Sequence, residues 1–170
     1  MNQSLAIEEE ITLFKKTIEA FAKKEIQPYY NQWEEDGILP RELWKKLGNA
    51  GLLCVDIPEQ YGGLGAPLHF AASIVDEFSR LGYSSISGNL AVHSNIVSHY
   101  ILNAGSEEQK AHYLPKMASG DYIGAIAMTE PGAGSDLQGI KTTAVKNTTT
   151  REYVINGSKT FISNGQNFDF

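Results

Sequence analysis

Residues 128–139 read MTEPGAGSDLQG, and the reading of this stretch decides how the rest of the chain divides. Two hydroxyls (Thr129, Ser135), two carboxylates (Glu130, Asp136) and three glycines surround Pro131. Gly132, Gly134 and Gly139 carry no Cβ, so such a loop can bring backbone N–H groups close to a ligand. Upstream of it apolar residues recur at helical spacing; downstream they fall into short runs with strand-like spacing. The stretch therefore lies just past a junction between a helical unit, residues 1–120, and the beginning of a β unit, residues 121–170. Such junctions are favoured places for ligand sites. The fold class predicted is α+β, an all-helical N-terminal part followed by the start of an antiparallel β part.

Working back from the loop, Ser106 and Gln109 form a capping-box pattern for a helix through Ala118, ended by Gly120. Between Arg80 and Glu107 there is no Asp, Glu, Lys or Arg, although serines, asparagines and histidines are plentiful. That pattern predicts a helix over Gly88 to Asn103 that is surrounded by protein or lines an apolar pocket. His93 and His99 stand six apart, which is not a same-face pair, and read as structural histidines. A third helix covers Pro67 to Leu81 with apolar residues over a wide arc, and the Pro- and Gly-rich Cys54 to Pro67 reads as a loop. A second helix starts at Pro40 and turns Leu43, Trp44 and Leu47 inward before Gly48 and Gly51 weaken it. Tyr29, Tyr30 and Trp33 read as a connection, and Ile7 to Ile26 as an amphipathic helix stopped by Pro28.

Working forward, Tyr122 to Met128 is an uncharged run that reads as a buried strand, and Lys141 to Asn147 as a more exposed one. Tyr153 to Ile155 and Thr160 to Ser163 flank Asn156 and Gly157, a hairpin signal.

Composition narrows the function classes. The sequence is 42% hydrophobic and 20% charged, a core-forming composition. Its formal charge of −6 with no basic cluster excludes a nucleic-acid footprint. Cys54, the single cysteine, excludes an internal disulfide and a multi-cysteine metal site and reads as a small buried residue in a reducing compartment. Glu8, Glu9 and Glu10 oppose a signal or transit peptide, and no uncharged run is apolar enough for a membrane span, so a cytoplasmic location without membrane insertion is expected. The loop itself lacks the Lys that a P-loop places after its glycines, because Ser135 and Asp136 follow Gly134. Leu137 occupies the third glycine position of a dinucleotide fingerprint, and a strand rather than a helix is predicted to follow. By spacing alone, a Gly/Pro-rich turn with capping hydroxyls stays an equal reading.

IAMTEPGAGSDLQGIKT (Ile126 to Thr142), followed by INGSKTFISNG (Ile155 to Gly165), resembles the flavin-binding signature of the acyl-CoA dehydrogenase family. The long-chain or general bacterial type is the nearest match. The likeness extends over PEQYGG (Pro58 to Gly63), SEEQK (Ser106 to Lys110) and LPKMASG (Leu114 to Gly120), and so over essentially the whole chain. It implies an FAD enzyme that takes an α-proton with a glutamate and passes a β-hydride from acyl-CoA to the flavin, yielding trans-2-enoyl-CoA. Electron-transfer flavoprotein is the implied electron acceptor and a homo-oligomer the implied assembly. Position by position, Met128 and Thr129 would lie against the isoalloxazine ring, and Gly134 and Ser135 near the cofactor and the pantetheine arm. Phe161 stands where the family often has Trp, and Ser163 where it often has Thr; both keep the chemical type. Ile96 and Val97, on the uncharged helix, would help to shape the acyl pocket.

The family also has a C-terminal helical bundle, which carries the glutamate base and on this resemblance lies beyond Phe170. No residue of the 170 is therefore assigned as catalytic. The chain alone is expected to be inactive, weakly flavin-binding at best and prone to associate through apolar surface such as Phe161, Phe168 and Phe170. The alternative is a non-catalytic product in which the helical unit serves as an interaction module.

Overall fold

The computed structural model describes residues 3–170, with side chains from Ile7 onward. Helix α1 (Gln3–Phe21) runs directly into a wider π turn, Ala22–Ile26. Ile18, Ala22 and Ile26 are buried, with Phe14 and Phe21 packed against the same core. Helix α4 (Leu68–Arg80) lies alongside and buries Ala71, Ile74 and Phe78. The polar edge between the two is laced by Lys15 on Asp76 and by Arg80, which joins Glu19 to the buried Glu77.

The connection expected around Tyr29 to Trp33 holds a seven-residue helix, α2 (Tyr30–Asp36), closed by Gly37 in the left-handed region. None of its residues is buried, so no apolar stripe announces it. Helix α3 (Arg41–Asn49) begins after Pro40 and buries Leu43, Trp44 and Leu47, as the spacing predicts. The following loop, interrupted by a 3-10 turn at Glu59–Tyr61, sends Leu52, Leu53, Val55 and Ile57 into the interior.

The uncharged segment forms α5 (Ser84–Leu90), a π stretch (Ala91–Val97) and α6 (Ser98–Ala104) in unbroken succession. Its internal polarity is satisfied locally. Ser87 donates to Val75 O and accepts from Ser79, while Ser98 donates to Ser94 O. Helix α7 (Glu107–Ala118) carries the full capping box: Ser106 Oγ accepts from Gln109 N–H and Gln109 returns a bond to Ser106 N–H. A second core forms where Val97, Leu114 and Met117 meet Cys54 and Ile57.

The β part differs from expectation in two places. Tyr122 to Met128 is buried or half-buried for most of its length but is no strand. Its backbone is held by side chains instead: Gly124 N–H donates to His93 Nδ1 at 3.0 Å, Ile123 N–H to Asp169 at 2.8 Å, and Gly124 O accepts from Asn164 at 3.0 Å. The hairpin is formed by β1 (Thr143–Lys146) and β2 (Tyr153–Asn156), antiparallel, with Thr143 opposite Asn156 and Lys146 opposite Tyr153. Its turn is Asn147–Glu152, where Asn147 Oδ1 accepts from Thr149 and Thr150. Asn156 and Gly157 therefore end a strand rather than turn a hairpin. Thr160 to Ser163 cannot continue one, because Phe161 has φ +55°. The lesser burial expected for Lys141 to Asn147 is seen, with every residue of both strands exposed.

Candidate functional site

The site is built on a tight turn. Glu130 and Ala133 exchange both backbone hydrogen bonds, at 2.9 and 3.1 Å, with Pro131 and Gly132 at the tip. The limb before the turn, Met128 and Thr129, is fixed to a distant segment. Thr160 N–H donates to Thr129 O at 3.0 Å, and Lys159 Nζ donates to Met128 O at 3.0 Å. The next residue along, Phe161, is 92% exposed. A bulky residue held at positive φ with its ring in solvent is a strained, unsheltered arrangement of the kind that clusters at ligand sites.

Ser163 follows in an exposed position, and Asn164, also left-handed at φ +64°, anchors it. The Asn164 amide donates to Gly124 O at 3.0 Å and Asn89 O at 3.2 Å, pinning this segment to the 122–128 run and to α5. On the other limb, Gly134 and Ser135 are exposed. A Cβ built on Gly132 or Gly134 would meet nothing within 4 Å, and among the described residues the N–H groups of Gly134 and Ser135 meet no acceptor.

Met128 and Thr129 are thus brought together with the segment that carries Phe161 and Ser163, while Gly134 and Ser135 stand on the far limb of the same turn. Ile96 and Val97 belong to a different setting. Ile96 is 39% exposed, whereas Val97 is buried in the second core, where it packs so closely under Gly124 that its Cγ1 lies 2.8 Å from where a Cβ there would sit.

Two residues that tie the turn together escape the sequence reading, Glu130 in its structural role and Lys159. Glu130 is buried and accepts from Lys141 N–H at 2.8 Å and Thr142 N–H at 2.9 Å, with Lys159 Nζ at 2.9 Å. Hydrogen bonding from Thr142, then from the Lys141 backbone and Lys159, pulls its carboxyl down to about 2. A carboxylate directly after the uncharged Tyr122–Thr129 run is the one signal that points to it. So placed, Glu130 is held as an anion whose oxygens are already taken by three donors. The remaining groups are an exposed aromatic ring, the Thr129 and Ser163 hydroxyls and free backbone donors. This set fits a flat, hydrogen-bond-accepting ring system laid against the wall.

The fold is a helical unit followed by a short antiparallel hairpin, and the Met128–Thr129 limb is joined to the Lys159–Thr160 segment by two hydrogen bonds. Sequence profiles agree on the kind of protein: the acyl-CoA dehydrogenase N-terminal domain matches residues 8–121 and the acyl-CoA dehydrogenase middle domain residues 125–170. The long-chain specific acyl-CoA dehydrogenase, mitochondrial, of Sus scrofa is 47% identical over 154 residues, 90% of this chain and 35% of that protein. The crystal structure of an acyl-CoA dehydrogenase from Geobacillus kaustophilus superposes with a TM-score of 0.89 at 47% identity, over 95% of this chain and 41% of that one. An acyl-CoA dehydrogenase from Bacillus anthracis, solved in complex with FAD, gives a TM-score of 0.84 at 37% identity over 95% of this chain and 27% of that one. The chain belongs to the acyl-CoA dehydrogenase family. It spans about a third of the length of the curated mammalian relatives it matches.

Proposed function

We propose that the chain supplies one wall of the flavin and thioester cleft of an FAD-dependent acyl-CoA dehydrogenase, which oxidises acyl-CoA to trans-2-enoyl-CoA in acyl-CoA catabolism. The observation that carries this reading is the pairing of Met128–Thr129 with Lys159–Thr160, which sets the exposed ring of Phe161 beside the glycine-rich turn.

Met128, Thr129, Phe161 and Ser163 would hold the isoalloxazine ring, and Gly134 and Ser135 the cofactor or the pantetheine arm. FAD, when bound, supplies the hydride acceptor. Phe161 offers a flat apolar face, and the hydroxyls of Thr129 and Ser163 offer donors where negative charge builds on a ring being reduced. The base for the α-proton is assigned outside these residues, since the oxygens of the one buried carboxylate of the loop, Glu130, are engaged by the Lys141 and Thr142 N–H groups and by Lys159. Ile96, on the exposed side of its helix, is the better candidate of the pair for the acyl pocket; Val97 would support the wall from behind. Electron-transfer flavoprotein as acceptor, a homo-oligomeric assembly and a cytoplasmic location complete the proposal. No described helix is long and apolar enough to cross a membrane.

The test is FAD titration of the polypeptide encoded by the whole reading frame, followed by addition of a saturated acyl-CoA. Bound flavin whose visible absorption bleaches on substrate addition is expected, with Phe161→Ala weakening FAD by about tenfold through loss of ring contact. Unchanged FAD affinity in Phe161→Ala would remove Phe161 from the site.

A further inference from the structure

The turn that carries the site has almost no apolar anchorage of its own. Among residues 128–142 only Glu130 and Ala133 are buried. Helices α3, α4 and α7, by contrast, are held by core side chains such as Trp44, Phe78 and Leu114. Here the holding is polar, and it converges on one ion pair.

Lys159 Nζ lies 2.9 Å from Glu130 Oε1 and 3.0 Å from Met128 O, with its side chain 22% exposed and that of Glu130 6% exposed. Glu130 in turn takes the backbone N–H groups of Lys141 and Thr142. Three stretches distant in sequence, 128–130, 141–142 and 159–160, are therefore joined through two side chains. The Thr160 to Thr129 backbone bond closes the arrangement. Both limbs of the wall begin at these residues: Thr129 precedes Glu130 and Phe161 follows Thr160.

We infer that Lys159 and Glu130 are positioning residues for the flavin wall, setting the spacing between the Met128–Thr129 limb and the Phe161–Ser163 limb without touching the ligand themselves. This rests on the flavin reading above. The charge of Lys159 and its two donors are both needed. A neutral side chain leaves Glu130 as a buried carboxylate with its cation gone and frees Met128 O, and the two limbs then separate or slide. Arginine keeps the charge and supplies donors for both acceptors. Small displacements of a binding wall cost far more in affinity than in global stability, so the effect belongs on ligand binding first.

The experiment compares FAD affinity and the visible flavin spectrum of the whole-frame polypeptide with those of Lys159→Gln, Lys159→Arg and Ser106→Ala, the last removing the α7 cap as a control for general destabilisation. Expected is a loss of about tenfold or more in FAD affinity and a shifted flavin band in Lys159→Gln, recovery to within about threefold in Lys159→Arg, and no change in Ser106→Ala. Should Lys159→Gln not fold, Glu130→Gln is measured in its place, with the same loss expected. Wild type that binds FAD while Lys159→Gln, or Glu130→Gln in its place, binds it equally with an unshifted spectrum overturns the positioning role and leaves the flavin reading standing. An equal loss in Ser106→Ala overturns it too, since the effect would be one of stability. Wild type that binds no FAD overturns the flavin reading itself, and the positioning role with it.

Discussion

His93 has no solvent exposure, yet both ring nitrogens are used: Nδ1 accepts from Gly124 N–H and Nε2 donates to Met117 O at 3.1 Å. That pairing fixes the neutral tautomer, and burial lowers its pKa from the usual 6.5 to about 4. The folded state therefore resists a proton that the unfolded chain accepts. Stability from this group is full above pH 6.5 and is lost as pH falls towards about 4, an effect of about 3 kcal/mol. Chemical denaturation of wild type should show this slope between pH 6.5 and pH 4. His93→Leu should lack it, and should be less stable at neutral pH because Gly124 N–H and Met117 O lose their partner. Six-residue spacing is enough to read His93 as a structural histidine; its partners, 24 and 31 residues away, are not legible because nothing in a single sequence pairs them. Cys54 is likewise the buried residue that composition predicts, its thiol pushed up to about 12 by desolvation.

Among the elements, α3 and the end of α7 approach through glycine. A Cβ on Gly48 would sit 2.3 Å from the Ser119 backbone, and one on Gly120 would sit 2.1 Å from Trp44 O, at a φ of +72°. Gly48 reads in sequence as a weak point of α3, whereas in the fold it is what lets backbone meet backbone. Gly48→Ala should cost about 2 kcal/mol or more, and Gly120→Ala at least as much since it also strains the backbone, both measured as lowered urea midpoints with unchanged slope. Legibility divides in the same way. Helices α1, α3, α4 and α7 are readable because each carries its own stripe, stop or cap. Helix α2 is not, having no buried stripe. The Tyr122–Met128 run looks like a strand because burial makes it apolar. Burial and strand pairing give the same local pattern, and here the backbone partners are the side chains of His93, Asn164 and Asp169.

At the scale of the molecule, Arg41 ties the helical part to the Asn167–Asp169 segment. Its guanidinium donates to both oxygens of Asp169, at 3.0 and 2.8 Å, to Asn167 O at 2.7 Å and to Asp121 O at 3.2 Å. Asp169 passes the connection on to Ile123 through two further bonds. Arg41→Ala should speed hydrogen exchange at the Ile123 and Asp169 amides while leaving those of α1 and α4 unchanged; uniform acceleration would show that the tie carries global rather than local stability. The candidate site is half legible for a related reason. The glycine-rich turn and Phe161 declare themselves by composition and motif, but the Glu130–Lys159 pair exists only once residues 29 positions apart are folded together.

Arg41 and Asp169 are 128 residues apart. Helical turns form from near neighbours and form fast, while a closure of that span carries a larger entropic cost and comes late. On an emerging chain the helices over residues 3–118 would be complete before Asp169 is made, so the segment carrying Phe161 and Asp169 docks onto a helical surface that precedes it.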